Sequence, residues 1–147
     1  MGHNMKTSIS LIISTLLCIS FFSVQAQTPK EKGLPEGKTF TITLRTTGET
    51  RPGMPWTTDV ISFSGGKLDA KVMRAKEKFP PFNCSFTVDS ASSGVTIHFT
   101  ASGHNSGTSD IAWEGTIAGS KIEGTAVWTN ANGPQTYSFS GKSKGEK

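Results

Sequence analysis

Asp59 lies in an alternating stretch, Thr57 to Ser64, and points to the same side as Ile61 and Phe63. A carboxylate on an apolar face needs a partner or water. Its chemistry there is to orient a ligand; if the strand begins after it, it belongs to a rim loop instead. Trp113, Trp128 and Tyr137 fall on the apolar faces of three successive alternating stretches. Small-molecule pockets use aromatic walls with a few polar tips. Ordinary core filling is the competing use, with Gly115, Gly124 and Ala126 making room for the indoles. Arg74, Lys76 and Lys78 carry three positive charges through one connecting segment. They suit attraction of an anionic ligand or surface, or a plain solvated loop. Phe82 ends the stiff apolar corner Phe79-Pro80-Pro81-Phe82 and faces inward at the start of the next stretch. These residues form the candidate ligand-binding set.

No catalytic set accompanies them. Glu114, Glu123 and His98 fall on the outer, solvated faces of their stretches. His104 sits in a Gly/Ser segment with no second histidine or cysteine at ligand spacing, so no metal site is expected. There is no Gly-x-Ser-x-Gly elbow. Gly103 to Gly107 lacks the strand–loop–helix context of a phosphate cradle, and no cofactor signature is present. The formal charge of +4 is too weak to imply nucleic acid, and no basic stretch alternates with stacking aromatics. The expectation is a non-enzyme without cofactor.

The first 26 residues have the form of an export signal. Lys6 supplies the charge, Ile9 to Phe22 the apolar run, and Ser23-Val24-Gln25-Ala26 the small-residue cleavage positions. The apolar run is short for a membrane span, and no later segment is long enough to be one. Cleavage after Ala26 would put the mature chain in the periplasm or outside the cell and remove Cys18. Cys84 then remains alone, without an internal disulfide, and is expected to be buried. Gln27 to Lys38 reads as a flexible leader and residues 143–147 as a polar tail, which leaves residues 39–142 as one domain.

Eight stretches alternate within that domain, and no helical period separates them. They are Thr39–Thr46, Thr57–Ser64, Lys67–Met73, Phe82–Val88, Val95–Ser102, Thr108–Ala118, Lys121–Asn130 and Gln135–Lys142. In hairpins the apolar faces must meet. A Gly119-Ser120 turn pairs Ile117 with Ile122, Gly115 with Gly124, Trp113 with Ala126 and Ile111 with Trp128. A Gly65-Gly66 turn pairs Phe63 with Leu68 and Ile61 with Ala70. Val88 is expected opposite Val95. A longer loop, Ala131 to Pro134, would set Tyr137 beside Trp128 and Phe139 beside Ala126. The predicted fold is all-β, an eight-stranded antiparallel up-and-down meander closed into a barrel, with a flattened sandwich as the alternative. The longer loops gather at one end, the mouth: Thr47–Trp56, Arg74–Pro81, Gly103–Gly107 and Ala131–Pro134.

The hairpin Trp113-Glu114-Gly115-Thr116-Ile117 and Ile122-Glu123-Gly124-Thr125 resembles those of small secreted bacterial calycin-like barrels. That broad group includes lipocalins, fatty-acid-binding proteins and avidins. The resemblance is architectural and implies a small ligand held in the barrel. The expected function is a secreted, non-catalytic barrel that binds a small apolar, amphipathic or anionic ligand through its aromatic mouth. The alternative is a filled barrel acting on a protein partner at the cell envelope, as an interaction or inhibitor module.

Overall fold

The computed structural model describes residues 34–48 and 56–145, so the expected export signal and most of the expected leader lie outside the described residues. Eight strands follow in chain order: β1 (Thr39–Thr47), β2 (Thr58–Ser64), β3 (Lys67–Ala70), β4 (Phe82–Ala91), β5 (Gly94–His104), β6 (Asp110–Ala118), β7 (Lys121–Asn130) and β8 (Gly133–Ser143). Each pairs antiparallel with its sequence neighbour, and β8 pairs with β1 to close the ring. The strands are not spread evenly round one axis, so closed barrel and flattened sandwich describe the same ring.

Alternation places the core. Phe40, Ile42 and Leu44 on β1, Ile111, Trp113 and Ile117 on β6, and Tyr137 and Phe139 on β8 are buried in one apolar cluster. Its base half is a chain of rings: Phe63 meets Phe40, Phe86 and Phe99 edge-on at centroid distances of 6.1, 5.8 and 5.2 Å. Gly115 and Gly124 face each other where β6 and β7 approach closely. A Cβ on Gly124 would stand 2.1 Å from the Glu114 carbonyl oxygen, so this crossing excludes any side chain.

The Gly119-Ser120 and Gly65-Gly66 hairpins have the expected registers. Two others differ by two residues. β4 and β5 pair out to Ala91 and Gly94, which sets Val88 opposite Ile97 rather than Val95. β7 and β8 pair out to Asn130 and Gly133. The expected loop is therefore a two-residue turn, closed by the Asn130 side-chain oxygen accepting Asn132 N–H at 2.8 Å. Tyr137 consequently lies opposite Ala126, and Gln135 opposite Trp128.

The third strand stops early. Lys71–Glu77 forms a helix, α1, where the alternation of Leu68, Ala70 and Val72 predicts continued strand. Lys, Met, Arg, Ala and Glu in this segment are good helix formers. Ala70 at the N-cap has no side chain to offer. Asp59 on β2 takes that role, accepting the N–H groups of Val72 and Met73 at 2.7 and 3.1 Å. At the other end Asn105 donates to the Glu77 carbonyl at 2.9 Å, while its own oxygen accepts Gly107 and Ser109 N–H. Pro80 and Pro81 prevent continuation. Met73 and Phe79 seat this segment on the core at the mouth.

The described part of the leader is held in place. Gly37 donates to the Phe63 carbonyl at 2.8 Å, and Glu36 accepts Gly65 N–H at 2.8 Å.

Candidate binding site at the barrel mouth

Two inner rows of β6, β7 and β8 make the mouth half of the core. One row runs Trp113–Ala126–Tyr137 and the next Ile111–Trp128–Gln135. Small Ala126 separates the two larger side chains of its row. Trp128 is the hub: Gln135 lies directly opposite, and Trp113 and Tyr137 are its diagonal neighbours. Trp56, just before β2, sets its ring 6.5 Å from Trp128 at a tilt of 38°. Trp113 meets Phe139 edge-on at 5.3 Å, which joins the cluster to the phenylalanines below.

The indole nitrogens of Trp56, Trp113 and Trp128 are all buried without a hydrogen-bond partner. Leaving a buried donor unpaired costs about 1–3 kcal/mol. Native interiors hold only a few such groups, and each calls for an explanation. Here three belong to one aromatic cluster.

The other candidates occupy distinct places. Asp59 faces inward and is buried, as its parity predicts. Its carboxylate is engaged by the backbone N–H groups of Val60, Val72 and Met73. Burial pushes its carboxyl above the ordinary 3.8, and these three bonds oppose that shift without cancelling it. Phe82 is buried, its ring centroid 5.8 Å from that of Phe79 in the segment after α1. Arg74, Lys76 and Lys78 are exposed on α1 and at its end. Arg74 pairs with Asp69 at 3.2 Å, and the Lys78 ammonium donates to the Ala75 carbonyl at 3.0 Å. The structure thus brings Trp113, Trp128 and Tyr137 together and places the basic residues on the flanking helix.

Trp56 and Gln135 escape the sequence reading. Gln135 shares the parity of Tyr137 and Phe139, which would have marked it as inward; Trp56 sits at the end of a long loop and carries no such signal.

Cys84 is half-buried rather than enclosed, because β3 covers β4 only at Phe82 and Asn83. Burial still pushes its thiol up to about 12.

Concavities also open on the outer face. One, about 670 Å³, spans β5 to β8 and β1, with Arg45, His98, Glu114 and Glu123 among its lining. His98 lies 3.0 Å from Asp89 on the neighbouring strand. Among the described residues no group of three or more His, Cys, Asp or Glu is placed to hold a metal ion, and no helix is long and apolar enough to cross a membrane. Set against protein-family models, curated proteins and solved structures, the chain matches none.

Proposed function

We propose that this domain is an exported, non-catalytic binding module, calycin-like in architecture. Its mouth-half aromatic cluster takes a small amphipathic molecule with hydrogen-bond acceptors. The three unpartnered indole donors carry this reading. Acceptor atoms on a ligand would satisfy them, while the rings supply apolar contact. Trp56 is half-buried at the mouth and is the ring that must move to admit the ligand. The basic residues of α1 favour an anionic over a cationic head.

The chain has three tryptophans, so nitrogen-15 labelling gives three indole signals. Titration with fatty acids, porphyrins and aromatic carboxylates should shift all three downfield, saturably, as the donors gain acceptors. Saturating additions that move none of them would overturn the proposal.

A second reading is favoured by one observation: the inward side chains of the mouth rows are already buried against one another. On this reading the barrel is filled and acts on a protein partner through its outer face.

A further inference from the structure

β4 and β3 pair only at Lys67–Asn83 and Leu68–Phe82, with one more bond from Cys84 N–H to the Gly66 carbonyl at 2.9 Å. Beyond it, Ser85 to Ala91 have no strand partner on that side among the described residues, although all of them pair with β5 on the other. Backbone groups alternate in direction along a strand. Since Cys84 N–H points towards β3, the N–H and C=O groups of Phe86, Val88 and Ser90 point to the open side. The apolar row is incomplete here too. Cys84, Phe86 and Val88 are only half-buried, and Val95, next to Ser90 on β5, is 46% exposed.

We propose that this edge pairs antiparallel with the same edge of a second copy of the chain, centred on Val88. The open groups of Val88 meet those of its counterpart, and those of Phe86 meet those of Ser90. Inner rows then run Ile97–Val88–Val88–Ile97 and Val95–Ser90–Phe86–Phe99 across the two copies. Small Ser90 lets Phe86 of one copy reach the exposed Val95 of the other. The only charge in the run, Asp89, faces Thr87 of the second copy and stays beside its own His98. No like charges oppose each other. This edge, used reciprocally, closes as a two-fold dimer and does not propagate into a filament.

Two variants of the purified protein test this by light scattering across a concentration series. Val88→Pro removes a donor on the open side and leaves the β5 ladder intact. Val95→Lys places a charge in the inter-copy row at a position already exposed. The unmodified protein should double its mass as concentration rises, and both variants should remain monomeric with unchanged circular dichroism. Should Val88→Pro fail to fold, Val95→Lys decides alone. An unmodified protein that is monomeric throughout, or a dimer untouched by Val95→Lys, would overturn the proposal.

Discussion

The carboxylate of Asp59 accepts the backbone N–H of Val72 at 2.7 Å, so a strand residue caps a helix that begins later in the chain. A second oxygen contact, to Met73 N–H at 3.1 Å, completes the clamp. The helix is too short to persist without such support. Its place over the mouth depends on this clamp, on Asn105 and on the burial of Met73.

Replacing Asp59 should therefore unsettle the mouth. Asp59→Ala strands three N–H donors and should cost about 2–4 kcal/mol in denaturant melts. The pH dependence follows from the raised pKa. The folded state favours the neutral carboxyl, so this group's contribution is fully present below 3.8 and is lost as pH rises through the folded value. Relative to Asp59→Asn, the unmodified protein should lose stability progressively as pH rises above 3.8. A constant difference between the two would refute the assignment.

Trp113 separates packing from hydrogen bonding. Trp113→Ala should cost roughly 3–5 kcal/mol, because a buried indole leaves a cavity beside Ala126. Trp113→Phe removes the unpartnered donor and keeps most of the ring. It should recover most of that loss in the ligand-free protein and weaken ligand binding, measured by calorimetry.

Gly124 should reject even the smallest side chain. The obstruction to a Cβ is the Glu114 carbonyl and the Gly115 Cα, both backbone, and neither moves cheaply. Gly124→Ala should destabilise by about 1–3 kcal/mol in thermal or denaturant unfolding. Gly119, with open space around it and a positive φ of 59°, should respond to alanine through strain alone.

Cys84 should alkylate slowly in the native protein despite its partial exposure. With its thiol pushed up to about 12 from 9.0, native thiolate is scarcer by a factor on the order of a thousand. Iodoacetamide labelling followed by mass spectrometry should show a sharp acceleration on unfolding. Equal rates in both states would contradict this environment.

The hairpin at Gly119-Ser120 was fully legible, down to Trp113 opposite Ala126. Glycine fixed the turn there, and the apolar faces fixed the side. At Ala131-Asn132 and Ser92-Ser93 the glycine, Gly133 or Gly94, follows the turn instead of opening it. Sliding a strand by two residues keeps every apolar side chain on its face, so hydrophobic pattern cannot choose between registers. That is why Gln135, and not Tyr137, proved to face Trp128. α1 was hidden for another reason. Leu68, Ala70 and Val72 alternate as a strand would, and the capping carboxylate lies thirteen residues before Val72. A window along the chain sees the first and misses the second. The aromatic character of the mouth was readable from parity, whereas its unpaired donors depend on ring placement.

β8 meets β1 where the described chain begins and ends: Lys144 donates to the Thr39 carbonyl at 3.1 Å, and Ser143 to Ser120 at 2.7 Å. Both ends of the domain thus leave from the base, opposite α1 and the aromatic rows. Held at residue 34 or residue 145, the domain would stand with its mouth outward. An orienting tag therefore belongs at an end, and a reporter belongs at the Ala131-Asn132 turn on the far rim.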